Sequence, residues 1–186
     1  MKILAGVDEV GRGSLIGPVY AAAVILNESI NTKILKDSKT LSKEKREELY
    51  FYIKKNSIWA IGQASVKEIE KINILHASLL AMKRAIIKLK KKPSLVLIDG
   101  NKLPILKNYN LECLIKGDQK IPSISAASII AKVSRDRFIT KLSKKFNKYG
   151  WDTNSGYGTK EHLRAIKKYG VTKYHRKTFS PVSKFE

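Results

Sequence analysis

Two apolar patterns alternate along the chain. Short, nearly continuous runs read as strands over residues 2–8, 19–26, 58–66, 95–100 and 111–116. The run at 95–100 is apolar at every position before Asp99 and Gly100 close it, which suits a strand buried on both faces. Between the runs lie stretches whose apolar positions recur every three or four residues. Residues 43–55 carry Leu49, Tyr52 and Ile53 on one side of a charged helix. Ser65 and Glu68 have the spacing of a capping box for a short helix, and Asn73 suits the cap of the next, whose face is Leu75, Leu79, Met82, Ile86 and Leu89. A long helix is predicted over 123–146, with Ala126, Ala127 and Ala131 allowing close approach to the sheet. A last one over 160–169 is capped by Thr159 and ended by Gly170. Strands first, then strands alternating with helices, predict an α/β fold: a mixed sheet with helices on its faces.

The strand ends carry the chemistry. The first run stops at two adjacent carboxylates, Asp8 and Glu9, and passes into Gly11-Arg12-Gly13. A strand alternates its faces, so one acid faces a ligand directly and the other reaches it through the turn. Asp99 closes one later strand and Gly117-Asp118 another. Taken singly, each acid also fits an ordinary polar turn. Four at the ends of neighbouring strands form a cluster that repels itself unless cations occupy it. Oxygen donors favour Mg²⁺ or Mn²⁺, and the chain has only His76, His162, His175 and Cys113 to offer a softer ion, at no ligand spacing. Two such ions suit phosphodiester cleavage. Gly11 and Gly13 allow main-chain N–H groups to approach a ligand closely.

Charge narrows the substrate. With 37 Lys and Arg against 16 Asp and Glu, the net charge of +21 exceeds what solubility needs and points to a polyanion, nucleic acid first. A Lys-rich genome-wide bias is the competing explanation. The lone Cys113 sits in an apolar stretch and is expected to be a buried, inert thiol. No run approaches a membrane span and no leader pattern is visible, so a soluble, cytoplasmic protein is expected. At 186 residues one domain accommodates the whole chain, 1–186.

Several ordered motifs resemble bacterial ribonuclease HII. They are residues 6–13 with Gly17-Pro18-Val19, Asp37 to Ser42, Asp99-Gly100, Ser125 to Val133, Arg135-Asp136, Gly156 to Thr159 and His175-Arg176. The resemblance spans nearly the whole chain. It implies the ribonuclease H fold with a small C-terminal, substrate-contacting helical extension from about residue 150. It also implies hydrolysis of RNA in RNA·DNA hybrids, cutting at single ribonucleotides in duplex DNA, and use of Mg²⁺ or Mn²⁺ to leave 3′-hydroxyl and 5′-phosphate ends. Asp8, Glu9, Asp99 and Asp118 match the family's metal-binding acids. Gly11, Arg12 and Gly13 match the loop that senses the 2′-hydroxyl, Tyr157 the tyrosine that packs on the following sugar, and Lys39 and Ser42 a phosphate-contacting segment. Asp136 fits either a supporting role at the site or a pair with a neighbouring base. Ser14 stands where proline is common, which is expected to loosen the loop. The sister ribonuclease HIII has another residue at Arg12 and an extra N-terminal domain, whereas this chain starts at the strand bearing Asp8. A ribonuclease HIII-like enzyme, another nuclease of the fold or a non-catalytic binding protein are the competing readings. A monomer without an obligate protein partner is expected.

Overall fold

A computed structural model describes residues 3–35 and 41–185. Five strands form one sheet: β1 (Leu4–Val10), β2 (Val19–Leu26), β3 (Ser57–Ala64), β4 (Leu95–Asp99) and β5 (Leu111–Leu114), in the order β3-β2-β1-β4-β5. The first three form antiparallel pairs, while β1, β4 and β5 run parallel. Among the described residues six α-helices accompany them: α1 (Lys43–Lys55), α2 (Val66–Ile87), α3 (Gly117–Lys120), α4 (Pro122–Ser143), α5 (Trp151–Asn154) and α6 (Lys160–Tyr169).

The mixed sheet is sandwiched because its strands are apolar on both sides. In β2, Val19, Ala21 and Ala23 join the cluster under α2, while Ala22 and Val24 join the one under α1 and α4. Two glycines set how closely the helices lie. A Cβ on Gly6 of β1 falls 2.1 Å from the Ser123 carbonyl carbon at the start of α4, and one on Gly62 of β3 falls 2.0 Å from the Ala81 oxygen of α2. A third cluster, beyond the sheet, gathers Leu15 and Ile16, Ile139 and Leu142 of α4, and Tyr149, Trp151, Ala165, Ile166 and Val182.

The helix signals have the expected geometry. Ser65 and Glu68 form a reciprocal capping box, and Asn73 breaks α2 with φ 63° while its Oδ1 accepts the His76 N–H at 3.2 Å. Thr159 caps α6, and Gly170 follows it with φ 78°. Several details differ from the sequence reading. The first strand, expected to stop at Asp8 and Glu9, pairs with β2 through both and ends at Val10, and the helix expected to reach residue 146 ends at Ser143. The strand expected over 111–116 stops at Leu114, Lys116 turns with φ 56°, and Asp118 lies in the unexpected short helix α3 instead of at a strand tip. Cys113 is exposed, because β5 is the sheet's edge and its middle residues face outward. Ser14 does not loosen its loop: fully buried, its hydroxyl lies 3.1 Å from the Gly156 carbonyl oxygen and 3.2 Å from that of Ile16. Among the described residues, no helix is long and apolar enough to cross a membrane.

Candidate active site

Strand register brings the first acids together. Val7 of β1 lies opposite Ile98 of β4, so Asp8 and Asp99 are the next residues on two parallel neighbours. Asp8, Glu9 and Asp99 line one cavity of about 380 Å³, with Val10, Arg46, Ser128, Ile129 and Lys132. Each carboxylate is oriented locally. Asp8 Oδ1 accepts the Glu9 N–H at 2.7 Å, Asp99 Oδ1 accepts the Gly117 N–H at 2.7 Å, and Glu9 Oε1 pairs with Arg12 at 3.3 Å.

Burial and mutual repulsion dominate the electrostatics. Asp8 is 5% exposed. Burial holds its carboxyl well above the ordinary range, the charges of Glu9 and Asp99 raise it further, and the Ser128 hydroxyl opposes them. Burial raises Glu9 too, against the pull of Arg12. Among the described residues, no group of three acidic, histidine or cysteine side chains closes around one point.

Asp118 stays outside this set. It is buried and lines a small neighbouring cleft with Thr32, Leu35 and Ser125, although the preceding Gly117 is the residue that holds Asp99. Ser42 caps α1 by accepting the Lys45 N–H at 3.2 Å and is exposed. Lys39 lies outside the described residues. Asp136 pairs with Lys132 at 2.9 Å, one helical turn away.

The glycine loop and Tyr157 meet beside the acids. Gly13 has open space: a Cβ there finds only Tyr157 Cε1, at 3.8 Å. Gly11 is needed for a different reason than ligand approach. Its φ is 91°, and a Cβ would fall 2.2 Å from Arg135 Nε. The Arg12 side chain is half-exposed. Tyr157 is 38% exposed, with the Arg135 guanidinium 5.9 Å from its ring.

Four basic residues here were given no role by the sequence reading, although Lys132, Arg135 and Arg176 stand in its motifs. Arg46 and Lys132 line the cavity; Arg46 lies one turn beyond the cap Ser42, and Lys132 one turn beyond Ser128. Those spacings were the available signal. Arg135 and Arg176 are fully buried and grip the loop through main-chain oxygens. Arg135 donates to Ile16 and Ser155, and Arg176 to Arg12 at 2.9 Å and Gly17 at 3.0 Å. Burial depresses both, Arg176 to about 9. The motifs name Arg135 and Arg176 but not what they hold, because their partners lie up to 164 residues away.

Comparison with known proteins finds relatives over nearly the whole chain. The family model described as Ribonuclease HII matches residues 5–182. A Ribonuclease HII of Pelagibacter ubique is 87% identical over 183 residues, covering 98% of each chain. The crystal structure of the ribonuclease H2 from Pyrococcus horikoshii OT3 superposes with a TM-score of 0.82 at 29% identity, covering 98% of this chain and 96% of that one. Bst-RNase HIII, solved in complex with Mn²⁺, shares the fold at 21% identity and a TM-score of 0.76, over 98% of this chain and 68% of that one. With nearly its full length matched by the family model and by so similar a relative, the chain belongs to the ribonuclease HII family and is a ribonuclease H endonuclease.

Proposed function

We propose that the protein hydrolyses the RNA strand of RNA·DNA hybrids and cuts on the 5′ side of single ribonucleotides in duplex DNA, leaving 3′-hydroxyl and 5′-phosphate ends. One observation carries the reading: three carboxylates from adjoining strands share a cavity beside an open glycine loop and an exposed tyrosine.

The donor set fits Mg²⁺ or Mn²⁺. It offers oxygen only, and a bound cation would offset the burial and mutual repulsion that raise the Asp8 and Glu9 carboxyls. Asp8, Glu9 and Asp99 would hold the metal, and Asp118, in the neighbouring cleft next to the glycine that holds Asp99, would serve as the fourth acid. Bound there, two such ions would supply activation of a water and stabilisation of the departing oxygen.

The chain's own residues do the positioning. Arg46 and Lys132 place positive charge at the cavity wall, where a phosphodiester oxygen needs it. Lys39 and Ser42, at the approach to α1, contact a flanking phosphate. The backbone of Gly11, Arg12 and Gly13 meets the 2′-hydroxyl, a donor and acceptor that deoxyribose lacks. Tyr157 packs on the next sugar and fixes the scissile phosphate. The surplus of positive charge gathers the duplex. The protein acts as a monomer in the cytoplasm, as one domain whose segment from about residue 150 contacts substrate.

The test is a set of end-labelled duplexes containing no ribonucleotide, one, or several, incubated with Mg²⁺ or Mn²⁺. Cleavage of the last two with the all-deoxy duplex intact supports the reading. Equal cutting of all three overturns the recognition mechanism, and Asp99→Asn cutting at the parental rate overturns the metal assignment.

A further inference from the structure

Beneath Tyr157 lies a buried chain of hydrogen bonds that the carboxylate chemistry does not use. Trp151, His162 and His175 are each at most 1% exposed. Trp151 Nε1 lies 2.9 Å from His162 Nε2, and an indole nitrogen only donates, so this imidazole nitrogen accepts. The proton of His162 is therefore on Nδ1, which donates to the Tyr157 carbonyl at 2.9 Å. At the other end the Thr172 N–H, also a donor only, lies 2.8 Å from His175 Nδ1. That fixes the His175 proton on Nε2, 3.2 Å from His162 Nε2. Every donor points the same way, and the chain ends on the backbone of Tyr157. Both imidazoles are neutral in this arrangement. A second proton on His162 would face Trp151 and His175 donors with no acceptor. His162 also holds the turn through its main chain, since its N–H donates to the Thr159 hydroxyl at 3.2 Å.

We propose that His162 is a positioning residue for cleavage at a ribonucleotide: its Nδ1–H, fixed in place by Trp151 and His175, sets the turn that presents the Tyr157 ring. The proposal rests on the reading of Tyr157 given above. The Tyr157 carbonyl also accepts the Thr159 N–H at 2.8 Å, so the histidine refines a turn that already exists. That predicts an effect on turnover, not on folding.

Two substitutions separate the ends of the imidazole. In His162→Asn the amide nitrogen stands near the place of Nδ1 and still donates to Tyr157, while Trp151 and His175 lose their acceptor. In His162→Gln the amide oxygen stands near the place of Nε2 and still accepts from both, while the donor to Tyr157 is lost. Each variant is assayed for kcat and KM on a duplex carrying one ribonucleotide, below its own Tm, and for Tm itself. For His162→Gln the expected result is a kcat lower by roughly tenfold at little-changed KM and near-parental Tm, the scale of a small misplacement at a reacting centre. For His162→Asn the expected result is the reverse, a lowered Tm with kcat kept. If kcat instead follows Tm across the pair, the role is only structural and the proposal fails. Tyr157→Ala and the double variant complete the test. In the Tyr157→Ala background His162→Gln should lower kcat no further. If Tyr157→Ala leaves kcat unchanged, the reading of Tyr157 falls and this inference with it. If Tyr157→Ala lowers kcat but His162→Gln does not, the inference about His162 alone is wrong.

Discussion

Gly6→Ala puts one methyl group between β1 and α4, where two main chains meet. The added Cβ would lie 2.1 Å from the Ser123 carbonyl carbon, 2.2 Å from Ile124 N and 2.4 Å from the Ser123 oxygen, whereas ordinary contact begins near 3.4 Å. None of these atoms belongs to a side chain that can turn aside. The helix must retreat by about 1.3 Å at this point, or the strand must bend by as much. Insertion of a methylene into a packed core costs about 1–3 kcal/mol, and backbone on both sides places this site at or above the upper end. The displacement reaches the cavity as well. Gly6 is two residues from Asp8, and Ser128, whose hydroxyl bonds to Asp8, lies on α4 little more than a turn beyond the clash. A shift on the order of 1 Å at a reacting centre reduces cleavage by up to about a hundredfold. Urea unfolding measures the first effect as a lower midpoint at unchanged slope, and cleavage of a ribonucleotide-containing duplex by the folded fraction measures the second. Gly13→Ala is the control: its Cβ meets only Tyr157 Cε1 at 3.8 Å, so stability should move by less than about 1 kcal/mol in either direction while cleavage at a lone ribonucleotide falls. A Gly6→Ala protein as stable and as active as the parent would refute the claim that this glycine sets the depth of the site.

Asp99→Asn should abolish turnover while leaving duplex affinity near the parental value, since the basic surface is untouched; loss of binding in step with cleavage, by fluorescence anisotropy, would argue against this. Affinity for a hybrid duplex, with catalysis blocked by Ca²⁺, should fall with salt at roughly −0.9 log units per log unit for each phosphate neutralised, and a flat titration would assign the charge to composition bias. The His175 imidazole is depressed to about 4 by burial and by His162. The unfolded chain therefore binds more protons between about pH 6.5 and 4, so stability present above 6.5 is lost as pH falls through this window. A shift of this size in a buried imidazole corresponds to a loss of about 3 kcal/mol. Thermal melts from pH 7 to 4 should show this component disappear in His175→Gln, and an unchanged acid limb would contradict it.

The sequence by itself determined the elements whose causes are local. Alternating apolar runs located all five strands, and the capping box at Ser65 and Glu68, the break at Asn73 and the cap at Thr159 are set by side chains reaching three residues along the chain. It also placed Asp99 at the end of β4, where a strand buried on both faces leaves the core, but it did not determine the burial of Asp8, which lies inside β1 opposite Ala22 of β2. What lay beyond it depends on which strands become neighbours. The register of β1 on β4 brings Asp8 beside Asp99, whereas the left-handed turn at Lys116 ends β5 early and carries Asp118 into a helix and a separate cleft. Cys113 is apolar in context but exposed, since edge position is a property of strand order and not of the local run. The contacts of the buried arginines and of the histidine pair were not legible for the same reason. Arg176 reaches Arg12 across 164 residues and His175 meets His162 only after the chain has turned through Gly170, so their roles exist only in the folded chain. Local sequence fixes hydrogen bonds a turn apart; a site assembled from distant segments takes its geometry from packing.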